Sequence, residues 1–153
     1  MITTEREVRV ALAAVISAAV PLALVYNRWV LAFDPGQWAG LLRSPADNGR
    51  VNSWMVTRRA ISEEKIGNGC VRAVWFYDVI GYYGYATGDD AASPEDRFQA
   101  DVDAVCKAVA DAGLDPAIGR NDQLQFPMID IAPFGGELIH VARGRLSITP
   151  CLH

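Results

Sequence analysis

The side chains best suited to catalysis or metal binding are few in this sequence and stand far apart. The two histidines are His140, inside a strand-like stretch, and His153, at the end of the sequence. Neither has the spacing to another histidine or to a cysteine that a metal site requires. A single histidine within a strand is more often a hydrogen-bonded structural residue than a catalyst. The sequence therefore predicts neither a metal site nor a histidine-based active site.

The three cysteines, Cys70, Cys106 and Cys151, are widely separated and form no CxxC pair. A secreted disulfide scaffold normally carries a denser and even-numbered set, so we expect a reducing compartment. No serine lies in a nucleophile elbow, and the glycine-rich turns lack the lysine of a phosphate-binding loop. Asp89 and Asp90 precede a helix without the regular oxygen ligands of a cation site. We expect no catalytic residues and no cofactor; an enzyme with an unrecognised small-ligand site is one alternative.

Composition and charge indicate the general class of protein. The chain has 153 residues, of which 51% are hydrophobic, and this is ordinary for one globular domain spanning residues 1–153. The formal net charge of −4 argues against a protein that grips nucleic-acid backbone, because such binding needs clustered Lys and Arg.

The first apolar stretch, residues 10–26, has no charged residue and could be a membrane anchor. A secretory signal usually has a basic start, but the nine residues before it carry two acids as well as two arginines. The stretch is also shorter than the roughly 20 residues of a membrane-spanning helix, and Pro21 interrupts it. We expect a helix capped by Thr3 or Thr4 and ended by Pro21, packed on a sheet, with no membrane contact. A small membrane-anchored protein is the alternative.

Strand-like and helical patterns follow in a recognisable order. Residues 22–29 predict a first strand, and residues 34–49 predict a surface loop around a short turn at 38–42. Residues 51–61 and 70–85 predict a long hairpin. The helix that starts at Ser93 and stops at Gly113 carries one apolar stripe. Its members are Phe98, Val102, Val105 and Val109.

Two further strands are predicted at residues 125–131 and 137–149. The order of elements is therefore helix, strand, long hairpin, helix and hairpin. This order predicts an α+β fold, with a mostly antiparallel sheet of about four to five strands and two helices packed on one face.

Aromatic residues between positions 75 and 85 occupy both faces of the predicted second hairpin strand, since successive strand residues point to opposite faces. The helices cover one face, so the other face is expected to meet a loop, another subunit or water. Base stacking on single-stranded nucleic acid is the rival explanation, but it normally comes with a basic groove.

Four segments, taken in order, resemble the tail-terminator (minor tail protein) family of long-tailed bacteriophages. They are the Ala-rich first helix ending at Pro21-Leu22, residues 51–58, residues 98–105 and residues 134–146. The resemblance implies a non-enzymatic structural protein of the virion, located in the tail or neck and assembled in the host cytoplasm. Another phage ring, such as a head-completion or tail-tube protein, is an alternative.

The resemblance also implies partners. Family members form a hexameric ring that caps the tail tube and receives the head connector or stopper protein, and DNA passes through the lumen without sequence-specific binding. The hairpin tip, residues 62–69, is expected to be a polar, flexible loop that projects and contacts a partner ring. The candidate assembly contacts are Glu63, Glu64, Lys65, Gly67 and Asn68.

Overall fold

The computed structural model describes residues 4–30, 34–85, 89, 93–112, 120–121, 123–134 and 136–149. Its helices are α1 (Glu5–Ala19), α2 (Pro35–Leu42) and α3 (Ser93–Ala112), with a 3-10 helix at Pro45–Asp47. Its strands are β1 (Leu24–Tyr26), β2 (Arg43–Ser44), β3 (Arg50–Gly67), β4 (Cys70–Gly84), β5 (Arg120–Asn121), β6 (Gln125–Phe134) and β7 (Glu137–Thr149).

The strands form one α+β sheet around the β3–β4 hairpin. β4 pairs antiparallel with β7, and both β5 and β6 pair antiparallel with the far edge of β7. β1 is parallel to β3, while β2 pairs antiparallel with the start of β3. The sheet is therefore mostly antiparallel, as the sequence predicts. The described residues contain seven strands instead of four to five, because β2 and β5 are two-residue strands with no periodic signal.

Helix α1 starts at a capping box. The Thr4 hydroxyl accepts a hydrogen bond from the Glu7 backbone N–H at 3.3 Å, and the Glu7 carboxylate accepts one from the Thr4 N–H at 2.6 Å. Residues 10–26 divide between this helix, a turn and β1, and Val8, Leu12 and Ile16 are fully buried against the sheet. In the described ranges, no helix has the length and apolar character to cross a membrane.

Helix α3 lies on the same face of the sheet as α1 and packs against it. Its predicted apolar stripe is buried, with all four side chains at most 6% exposed. The expected stop at Gly113 lies outside the described residues. The core between helices and sheet includes Trp54, Tyr77 and Val79, so burial of this face is the main apolar contribution to the fold.

The prediction of a loop at residues 34–49 is wrong, because this segment folds into α2, β2 and the 3-10 helix. Asp34 caps α2 by accepting a hydrogen bond from the Gln37 N–H at 2.9 Å, and Pro35 occupies the first turn. α2 covers the sheet face opposite α1 and α3. The fold therefore has three α-helices on two faces, instead of two helices on one.

Helix α2 also changes the interpretation of the aromatic residues. The Trp38 ring packs edge-on against Tyr82 and Phe134, with centroid distances of 6.5 and 5.3 Å. Tyr82 is only 5% exposed, and Trp75, Tyr77 and Tyr83 are buried as well. The aromatic strand residues therefore serve the two cores, and the expectation that one face awaits a partner is wrong.

Gly81 allows the closest approach in the main core, where Trp54 lies flat over its backbone. A Cβ at Gly81 would lie 2.8 Å from Cη2 of the buried Trp54 ring. Gly81→Ala is therefore expected to lower the free energy of unfolding by about 1–3 kcal/mol in urea denaturation. Gly40→Ala is the matched control, since a Cβ there meets nothing within 4 Å and alanine favours a helix. Equal stability of the two variants would contradict this packing.

Candidate functional site

Strand β3 changes character halfway along its length. Residues 51–57 are all buried, whereas residues 58–67 are all exposed. The last β4–β7 pair joins Trp75 to Ile148, so beyond it residues 62–67 and 70–74 pair only with each other among the described strands. We call residues 62–74 the ribbon. Six residues at about 3.3 Å each extend it by roughly 20 Å.

The expectation that residues 62–69 form a flexible loop is wrong. The strands continue to Gly67 and Cys70, and only Asn68 and Gly69 form the turn. Gly69 has a φ of 83°, a conformation that glycine adopts without strain. Three charged residues in succession hide the strand because they are poor β-formers, whereas the Asn-Gly dipeptide signals a tight hairpin.

The candidate contact residues therefore lie on strand backbone. Glu63, Glu64 and Lys65 face Ala73, Arg72 and Val71 across the ribbon. The Glu64 carboxylate accepts a hydrogen bond from the Arg72 guanidinium at 2.7 Å, so this acid already has an exposed ion-pair partner.

Glu63 and Lys65 point to one face of the ribbon, since alternate strand residues share a face. Gly67 ends β3 and Asn68 starts the turn.

Exposed apolar side chains occur in two separate regions. Ile61, at the base of the ribbon, is 47% exposed, and Ile66 and Val71 on the ribbon are 57% and 48% exposed. A second patch surrounds β6 and the start of β7. Its members are Met128, Ile129, Ile131 and Leu138. β6 pairs with β7 along one edge only, so the described part of the chain presents two distinct apolar surfaces, which we call the ribbon patch and the β6 patch.

His140 lies in β7 beneath helix α3, with its ring between Tyr85 and Phe98 at centroid distances of 5.0 and 5.8 Å. Burial lowers the pKa of this imidazole, so the neutral form is favoured. Across the described residues, no three His, Cys, Asp or Glu side chains are grouped to hold a metal ion.

A polar cavity of about 440 Å³ lies between the end of α1, the 3-10 helix, β3, β4 and α3. One wall is apolar and the other carries charged and polar groups. The lining residues include Val20, Leu22, Asp47, Asn52, Arg97 and Asp101. The sequence did not indicate this cavity, because its residues come from four separate segments.

A charge network borders the cavity. The Arg50 guanidinium donates two hydrogen bonds to Asp89, at 2.7 and 3.0 Å, and lies 5.1 Å from the centroid of the Tyr83 ring. The Asn52 amide donates to Asp47 at 2.9 Å. Asp89, interpreted from sequence as a solvated acid before the helix, therefore anchors Arg50. Burial, with the nearby Asp47 carboxylate, raises the pKa of Asp101 to about 6.

The raised pKa of Asp101 predicts a pH effect on stability. Between about pH 4 and 6 the folded state binds more protons at this carboxyl than the unfolded state, so rising pH destabilises the fold. Asp101→Asn removes this effect and is expected to stabilise the protein at pH 7 by about 1–2 kcal/mol, after allowance for solvent screening. Urea denaturation should show the gain shrinking towards pH 4. The same gain in Asp103→Asn, an exposed acid on α3, would contradict the assignment.

Comparison of the chain with models of known protein families finds no match. A comparison with curated proteins likewise finds no similar sequence. The case for a function therefore rests on the geometry of the ribbon, the β6 patch and the cavity, and on the resemblance in segment order.

Proposed function

We propose that this chain is a non-enzymatic structural protein of a long-tailed bacteriophage, a tail terminator that forms a ring at the end of the tail tube. The observation that carries the proposal is the ribbon. A two-stranded ribbon is marginally stable in water by itself, and this one leaves both strand edges and several apolar side chains uncovered. A protein surface that covers the ribbon would remove both costs.

The two exposed apolar regions support assembly into a ring. A closed ring with rotational symmetry joins two different patches of each subunit, one to the neighbour on either side. The ribbon patch and the β6 patch are distinct surfaces that meet this requirement. Pro127 and Pro133 interrupt the hydrogen-bonding capacity of the β6 edge, which discourages unspecific strand addition while leaving the side chains available.

The partners follow from the family resemblance. The ring, a hexamer by analogy, would contact the tail tube protein on one side and the head connector or stopper protein on the other. Within it, DNA would pass without sequence-specific binding, and the net charge of −4 is compatible with a lumen to which DNA does not adhere. The protein would be assembled in the host cytoplasm and located in the virion tail or neck.

Removal of this chain from the phage or prophage that encodes it tests the proposal. Without a terminator, tails are expected to grow to uncontrolled lengths or to remain unjoined to heads, and supplying the intact chain should restore normal particles. Normal tail length with a defect confined to DNA-filled heads would instead favour a head-completion ring. Absence of any tube would favour a tail-tube protein.

A further inference from the structure

We propose that the polar cavity binds an alkylammonium group, a primary ammonium carried on an apolar stem. The groups that would hold the ammonium are the carboxylates of Asp47 and Asp101 and the side-chain oxygen of Asn52, all of which line the cavity. This inference does not depend on the proposed ring, since it concerns a site on one subunit away from the ribbon.

Asn52 provides the strongest indication of a missing partner. Its side chain is 3% exposed, and its amide nitrogen donates to Asp47. Among the described residues nothing donates a hydrogen bond to its buried amide oxygen, Oδ1. A buried acceptor without a donor is costly, so a ligand that brings an N–H to this atom gains binding energy.

Asp101 provides the second indication. Its half-buried carboxylate makes no hydrogen bond or ion pair with any described residue, and the charge of Asp47 opposes its ionisation. The two arginines nearby are engaged elsewhere, because Arg50 binds Asp89 and Arg97 hydrogen-bonds the Tyr83 side chain. An added positive charge would therefore be attracted by two carboxylates.

The shape of the cavity decides the type of cation. An ammonium has three N–H donors, matching the two carboxylates and the Asn52 oxygen. The opposite wall is apolar and suits a hydrocarbon stem. It consists of Val20, Pro21, Leu22 and Ala23. The volume of about 440 Å³ falls in the range of small-molecule sites, and a bare metal ion would leave the apolar wall unused.

The alkylammonium group could belong to a free diamine or to a lysine side chain of another protein molecule. Titration of the full chain with 1,5-diaminopentane and with Nα-acetyl-lysine methylamide, followed by NMR, separates these sources. Saturable shifts at Asp101 and Asn52 are expected with at least one probe. Binding of the diamine alone indicates a free amine, and binding of the lysine derivative indicates a side-chain ligand.

Asp101→Asn is the decisive variant, and its expected gain in stability makes loss of folding an unsuitable explanation. It should weaken binding by about tenfold or more, because one charge-assisted hydrogen bond is lost. Asp103→Asn, the matched control on the exposed side of α3, should change affinity less than twofold. Saturable binding of 1-pentanol with equal affinity, equal effects of the two variants, or no binding of either amine would overturn the proposal.

Discussion

Replacement of Phe98 by alanine is expected to lower the free energy of unfolding by about 3–5 kcal/mol. Phe98 is 1% exposed and stacks on Tyr83 with a centroid distance of 5.7 Å. It also lies within 6.0 Å of the Trp54 and His140 rings. Truncation would therefore leave a cavity that the rigid surrounding rings are slow to fill. Urea denaturation monitored by tryptophan fluorescence measures the loss.

A control on the same helix separates this packing effect from helix propensity. Gln99 is exposed, and Gln99→Ala is expected to change the free energy of unfolding by less than about 0.5 kcal/mol. A loss below about 1 kcal/mol for Phe98→Ala would mean that α3 can repack around the gap, contrary to the tight ring cluster.

Shortening the ribbon is expected to abolish assembly while leaving the subunit folded. Deletion of two facing pairs, Glu64 with Arg72 and Lys65 with Val71, removes only exposed residues and keeps the turn at Asn68. Because two residues leave each strand, every remaining side chain keeps its face of the ribbon. The ribbon becomes about 7 Å shorter and loses one apolar side chain. Tail length and head joining in the phage measure the outcome.

The matched control keeps the length of the ribbon. Glu64→Arg combined with Arg72→Glu exchanges the two charges of the exposed pair and preserves the net charge. This double variant should assemble normally if ribbon length and apolar contact are what the partner needs. Normal infectious particles from the shortened variant, with an unchanged melting temperature, would show that the ribbon is dispensable.

The sequence predicted the elements with long and regular patterns. Helix α3 has a capping signal at Ser93 and a stripe that includes Phe98, and both faces of β4 carry large β-forming residues. Helix α2 was missed because its eight residues are too few for a clear period, although Asp34-Pro35 is a good helix start. Tertiary packing of Trp38 on the sheet, which sequence periodicity does not report, stabilises it.

The candidate sites were less accessible to sequence reasoning than the fold. Residues 63–65 were correctly placed near the hairpin end, but their charge concealed a regular strand. The cavity depends on side chains as distant as Val20 and Asp101, which only the packing of α1 and α3 brings together. The raised pKa of Asp101 and the lone acceptor of Asn52 arise from that packing, and neither leaves a local motif.

Electron microscopy of the tail end in intact particles tests the central claim most directly. The account predicts a closed ring of this chain at the head-proximal end of the tube, with the ribbon of each subunit covered by a neighbouring subunit or by the adjoining ring. Particles in which this chain forms no ring at that position, or in which the ribbon remains in solvent, would contradict it.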